Sequence, residues 1–129
     1  MLLLDTHAFV WLASDQDQLP RRSRELIKKH AGELHVSAIS ALEIAILVKR
    51  SKLKLPVAAD VFIEKTLAQH GIEEIPVTRD IACLSAALPD IHNDPFDRIM
   101  IATAKLRKLT IVSKDRNISR YPNTTVIWE

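Results

Sequence analysis

Short apolar runs recur along this chain, and each is separated from the next by room for at least one helix. Leu2-Leu3-Leu4, Leu34-His35-Val36-Ser37, Glu74-Ile75-Pro76-Val77, Thr110-Ile111-Val112-Ser113 and Thr125-Val126-Ile127 read as strands. Between them lie stretches with helical spacing: His7 to Ala13, Arg21 to His30 behind Pro20, and Ser40 to about Lys49. Ala58 to His70 follows, stopped by Gly71, then Thr78 to Leu88, then Phe96 to Lys108 behind Pro95. Strands this short and apolar are buried on both faces, which a parallel sheet under crossover helices requires. The expected architecture is therefore α/β, with a central parallel sheet of about four or five strands covered on both faces by helices. Ser40-Ala41-Leu42-Glu43 has the form of a capping box that opens the third helix. The proline in the third strand-like run marks a strand end or a sheet edge. No linker, repeat or low-complexity stretch divides residues 1–129, so one domain is expected.

Composition excludes several classes. Two glycines cannot build a glycine-rich phosphate cradle. One cysteine, Cys83, makes neither an intrachain disulfide nor a cysteine-based zinc site. No apolar run approaches the ~18 residues of a membrane span. Met1 to Leu4 is apolar but lacks a basic n-region and meets Asp5, so it does not read as a signal peptide, and a cytoplasmic location without membrane contact is expected. The net charge of +2 is a weak pull toward polyanions. Basic residues bunch at Arg21 to Lys29, Lys49 to Lys54 and Lys105 to Lys108, where solvated helix faces account for them. Aromatic residues are only 5% of the chain, so no platform for stacking bases is evident.

The acids carry more. Ligands of open α/β sheets bind beyond the carboxyl ends of the strands. The first strand ends in Asp5, and the fourth runs into Ser113-Lys114-Asp115. The second leads into the helix bearing Glu43, and Asp94 and Asp97 open the helix before the fourth. Each acid has a local explanation. Asp5 and Asp94 can cap helices, Asp97 suits a helix dipole, and Asp115 can make an Asx turn. Glu43 resists such an account best, because it lies inside the apolar run Ala41 to Val48; it either occupies a narrow exposed stripe of that helix or needs an arginine, a lysine or a metal as partner. Taken together, carboxylates about 5 Å apart repel by on the order of 3 kcal/mol per pair at an effective dielectric near 20. A cluster of four requires a cation, and all-oxygen ligands favour a hard divalent ion, Mg2+ or Mn2+. Zinc is disfavoured, because the five histidines show no paired ligand spacing and each alone reads as structural or surface. A carboxylate-held Mg2+ is the usual machinery for attack on a phosphodiester.

At this point the chain resembles a PIN-domain ribonuclease, specifically a VapC-type toxin of a toxin–antitoxin module. The segments that carry the resemblance are Leu3-Leu4-Asp5-Thr6-His7, Val36-Ser37-Ala38 through Leu42-Glu43-Ile44-Ala45, His92-Asn93-Asp94-Pro95-Phe96-Asp97-Arg98 through Ile101-Ala102, and Ile111-Val112-Ser113-Lys114-Asp115. They stand in the family's order over nearly the whole chain, and Asp94 to Arg98 is the most distinctive run. The resemblance implies a three-layer α/β/α PIN-like fold and metal-dependent endoribonuclease activity. It implies an acidic quartet of Asp5, Glu43, Asp97 and Asp115, with Asp5 and Asp97 as direct ligands of Mg2+ or Mn2+. Glu43 and Asp115 bind directly, through water or at a second metal, and Asp94 is an additional acid of this subgroup. Thr6 and Ser113 become supporting residues that orient ligands or water. Arg98 either balances the acids, touches a phosphate or makes a structural ion pair. The implied reaction is in-line hydrolysis of RNA by metal-activated water, leaving 5′-phosphate and 3′-hydroxyl ends. The implied partners are an RNA substrate, a cognate antitoxin and a second copy of the chain in a homodimer. The segment Ile44 to Leu67 is the candidate groove for an antitoxin helix, with plain core packing as the other reading.

Two other readings fit part of the pattern. A phospho-accepting receiver domain wants an adjacent acidic pair after its first strand, and here Asp5 is followed by Thr6-His7. A catalytically inactive PIN-like binding module would lack acids of the quartet, and all four are present.

Overall fold

In the computed structural model, which describes residues 1–129, the three leucines of β1 (Leu2–Leu4) are all buried. Leu2 and Leu4 face one hydrophobic core and Leu3 faces another. That alternation is the period of two of a strand buried on both sides. The chain continues through α1 (Thr6–Ser14), α2 (Arg21–Lys29), β2 (Leu34–Ser37), α3 (Ile39–Lys49), α4 (Ala59–His70) and β3 (Ile72–Ile75). It then forms α5 (Arg79–Ala87), α6 (Pro95–Arg107), β4 (Thr110–Val112), α7 (Arg116–Ser119) and β5 (Val126–Ile127).

The five strands make one sheet in the order β3-β2-β1-β4-β5, and every neighbouring pair is parallel. Residues of α1, α2 and α4 cover one face, where Phe9 meets Phe62 edge-on with ring centroids 6.5 Å apart. Residues of α5, α6 and α7 cover the other, around Met100, Ile101 and Tyr121. The result is the expected three-layer α/β/α arrangement. Burying one such large apolar side chain stabilises by about 1.5–3 kcal/mol. His35, the histidine of β2, is buried between the Leu2 carbonyl at 3.1 Å and Glu73 at 3.3 Å. No helix is long and apolar enough to cross a membrane.

Three local expectations are corrected. The third strand runs over Ile72–Ile75 rather than residues 74 to 77. Gly71, in the left-handed region at φ +61, closes α4 and delivers the chain directly into pairing with β2. Pro76 has no N–H to donate, so the strand stops before it, and β3 is an edge as the proline suggested. The capping box at Ser40 does not form. Helix α3 opens earlier, and Ser37 Oγ accepts from the Ile39 N–H at 3.1 Å, which puts Ser40 inside the first turn and frees Glu43 for another partner. Helix α7 was not anticipated; Asp115 caps it by accepting from the Asn117 N–H at 2.8 Å.

Candidate active site

The sheet order reverses between β1 and β4. From β1 the chain builds outward through β2 to β3, and it then returns to the other side for β4 and β5. A crevice opens at such a switch point, beyond the carboxyl ends of the strands. Asp5 follows β1 there, and its backbone N–H donates to the Val112 carbonyl of β4 at 3.0 Å. Asp5 is buried, at 8% exposure, and caps α1 by accepting from the Ala8 N–H at 2.8 Å. Ser113 Oγ accepts from the Asp115 N–H at 3.0 Å, and its hydroxyl is near enough to the Asp5 carboxylate to help hold the charged form. Burial pushes the Asp5 pKa upward, against the help of Ser113, the Ala8 N–H and His7, and the charge of Glu43 pushes the same way as burial.

Helix α6 brings the next group. Asp94 is its cap, accepting from the Phe96 N–H at 2.9 Å and the Asp97 N–H at 3.3 Å. Asp97 follows one turn on, buried at 9% exposure. Its carboxyl is pushed up to about 8, first by burial, then by a hydrogen bond with Asp115, and then by the charges of Asp94, Asp115 and Glu43. At neutral pH such a carboxyl holds a proton in the absence of a cation. His92 Nε2 lies 3.2 Å from Asp97 Oδ2, and His92 Nδ1 lies 2.8 Å from the Tyr121 hydroxyl. One ligand atom each from His92, Asp97 and Asp115 fall within 4.8 Å of one another.

Glu43 reaches the crevice from α3. Its partner is neither arginine nor lysine. Thr6 Oγ1 donates to Glu43 Oε1 at 2.5 Å, and Ser40 Oγ sits 2.9 Å from the same threonine oxygen. The charge of Glu43 helps to raise both Asp5 and Asp97, so it belongs electrostatically to the same cluster. Asp5 and Asp115 line a common cavity of about 350 Å³ with His7, Trp11 and Lys114. Asp5, Glu43, Asp97 and Asp115 therefore converge, although they come from four separate parts of the chain. Asp94 is exposed and engaged as a cap, and it acts on the cluster through its charge.

Arg98 corrects an expectation. It neither balances the acids nor makes an ion pair. Its guanidinium donates to the carbonyls of Leu88 and Pro89, each at 2.9 Å, and of His92 at 3.3 Å, and lies 3.1 Å from the Tyr121 hydroxyl. Arg98 is a strut that holds the loop carrying His92. The sequence does not single out His92, because a lone histidine reads as structural or surface. No helical spacing pairs it with Asp97; the Asp94 cap and Pro95 turn the chain so that the two meet. Ser40, read as a cap, was missed as a neighbour of Thr6 for the same reason of local geometry.

The donor set is carboxylate oxygen with one imidazole nitrogen alongside. No arginine or lysine forms a salt bridge with Asp5, Glu43, Asp97 or Asp115, and Arg98 is committed to backbone carbonyls. These mostly oxygen ligands fit a divalent cation. Residues 2–123 match the PIN domain. The chain belongs to the PIN-domain family. This PIN domain is 32% identical over 130 aligned residues to Ribonuclease VapC22 of Mycobacterium tuberculosis (strain ATCC 25618 / H37Rv), an alignment that covers 98% of each chain. Its fold is similar to that of VapBC2 from Rickettsia felis, solved bound to a DNA fragment from their promoter, with TM-score 0.74, 17% identity and all of both chains covered. It is also similar to DNA-bound VapBC from Salmonella typhimurium, with TM-score 0.70 and 16% identity over 98% of this chain and 96% of that one.

Proposed function

We propose that this PIN domain is a metal-dependent endoribonuclease and acts as the toxin of a type II toxin–antitoxin module. The observation that carries the reading is geometric: one ligand atom each from His92, Asp97 and Asp115 lie within 4.8 Å of one another, beside buried Asp5 at the ends of the two central strands. The 32% identity to a protein named as a ribonuclease supports RNA as the substrate class. In this reading residues 1–129 work as one domain, in the cytoplasm and without a membrane partner.

Asp5, Asp97 and Asp115 would hold Mg2+ or Mn2+, with Glu43 as a further or water-mediated ligand. A bound divalent ion supplies Lewis acidity there, acidifying water and stabilising charge on the departing oxygen. The chain's own residues do the rest. Ser113 fixes the Asp5 carboxylate, and Thr6 fixes that of Glu43. Glu43 Oε2 has no intramolecular hydrogen bond and is free to take the proton of the attacking water. The water oxygen bonds to phosphorus, the bond to O3′ breaks, and a proton passes to O3′. The products are 5′-phosphate and 3′-hydroxyl ends. Lys114 and Arg116, exposed beside Asp115, hold flanking phosphates, which makes binding salt-dependent.

The partners in this reading are an antitoxin and a second copy of the chain. Leu42 on α3 and Val57 and Val61 beside and on α4 leave apolar side chains exposed along Ile44 to Leu67 or next to it, which supports a protein partner on that surface. The test is purified protein on total RNA with Mg2+ or Mn2+, against the Asp5→Asn variant. Metal-dependent cleavage by the wild type alone supports the reading. Equal cleavage by both overturns the site, and no cleavage by antitoxin-free protein favours a binding module.

A further inference from the structure

The chain has two tryptophans, and the fold brings them together at the rim of the acidic cavity. His7 and Trp11 are four residues apart on one face of α1, with ring centroids 5.5 Å apart and planes inclined at 52°. Trp11 and Trp128, which follows β5, are 5.8 Å apart and inclined at 53°. Trp11 thus contacts both of the other rings, although the sparse aromatic composition gave no hint of a stacking platform. The inner edges of Trp11 and Trp128 pack on the core, while His7 is exposed. Trp11 and His7 line the same void as Asp5 and Asp115, and its volume of about 350 Å³ falls in the ordinary range of small-ligand sites. A neighbouring cavity of about 390 Å³ continues around Lys114 and Asp115 to Arg116 and Trp128. Neither Lys114 nor Arg116 has a carboxylate partner within 4.0 Å.

An acidic centre repels the phosphates it must act on, so its substrate needs anchors that are cationic or uncharged. Lys114 and Arg116 are the free cations beside the cluster. A nucleobase is uncharged, and its flat face stacks on an indole whatever its identity. We propose that Trp11, flanked by His7 and backed by Trp128, is a stacking subsite for one unpaired base of single-stranded RNA, with Lys114 and Arg116 on the adjoining phosphates. This inference rests on the RNA-nuclease reading for its ligand class, and it names which part of the substrate is gripped beside the acids. A base held in a duplex does not offer both faces, so the subsite selects unpaired segments.

The test uses full-length protein in which Asp97→Asn prevents cleavage and Trp128→Phe leaves Trp11 as the sole tryptophan. The probes are an eight-residue single-stranded oligoribonucleotide and an abasic ribose-phosphate strand of the same length. RNA is expected to quench Trp11 fluorescence on binding, and the abasic strand to bind more weakly without quenching. Trp11→Leu is expected to weaken RNA binding roughly 5- to 150-fold, with Trp11→Phe recovering most of the loss. In the cleaving enzyme the same pair should move KM far more than kcat. RNA that binds without quenching Trp11, or wild-type kinetics in Trp11→Leu, overturns the subsite and leaves a cleaving enzyme intact. Quenching by RNA in a protein whose wild type never cleaves overturns the nuclease reading and keeps the subsite.

Discussion

His92 Nε2 and Asp97 Oδ2 stand 3.2 Å apart across the start of α6, and the other ring nitrogen of His92 is held by Tyr121 at 2.8 Å. The imidazole is therefore oriented from behind and aimed at the carboxylate that most needs a cation. Neighbours that orient a ligating group commonly change metal affinity by about 10–100-fold. His92→Gln is expected to weaken Mn2+ binding by about tenfold, and Mg2+ binding by less, because nitrogen favours the transition metal. Calorimetric titration of both ions into wild type and variant measures the difference. Equal losses for the two ions would assign His92 to packing alone.

Asp97 makes the apo protein sensitive to pH. Its folded pKa of about 8 lies above its unfolded value, so between roughly pH 4 and pH 8 the folded state binds the extra proton. Stability from this group is fully present at low pH and is lost as pH rises through 8. Asp97→Asn removes the buried charge and is expected to stabilise the metal-free protein at pH 8.5 by on the order of 1–3 kcal/mol. The gain should disappear near pH 5. Thermal melts with and without a chelator at both pH values check the sign.

The same proton competes with the metal. Below pH 8 a cation must displace it, so apparent affinity should tighten by up to about tenfold per pH unit from pH 6 toward 8 and then level off. Proton uptake or release during Mn2+ titration in buffers of different ionisation enthalpy reads this directly. A flat affinity across that range would place Asp97 outside the ion's ligands.

Arg98 is expected to matter for stability before chemistry. Arg98→Met removes the donors that hold the Leu88, Pro89 and His92 carbonyls. A loss of about 2 kcal/mol is expected, from several charged hydrogen bonds in a half-buried site. Denaturant melts measure the loss. Metal affinity should fall as well, because the His92 loop is no longer pinned.

Much of this was legible before the structure, for physical reasons that can be named. β1 is apolar on both faces and β4 nearly so, and double burial leaves short runs of leucine, isoleucine and valine there; β2 is legible by its burial-ready Leu34 and Val36 although His35 and Ser37 occupy its other face. Asp94 before Pro95 announces the start of α6, because a cap and a first-turn proline act locally. Convergence of the acids followed from the switch-point rule applied to residues at strand ends. What escaped depends on distant parts meeting. Glu43 is partnered by Thr6, 37 residues away, and nothing near Glu43 encodes that bond. The capping-box pattern at Ser40 was overridden when Ser37 captured the helix start, and the short α7 has too few residues for a periodic signal. Trp11 and Trp128 lie at opposite ends of the chain, so their pairing appears only once α1 and β5 are in place.

Asp5 and Asp97 are expected to be ligands of a divalent cation. Calorimetric titration of Mn2+ into wild type and into the Asp5→Asn, Asp97→Asn double variant at pH 8 tests that claim most directly. The wild type should show saturable binding that the double variant loses by at least about a hundredfold. Equal affinity in the two proteins would contradict the account.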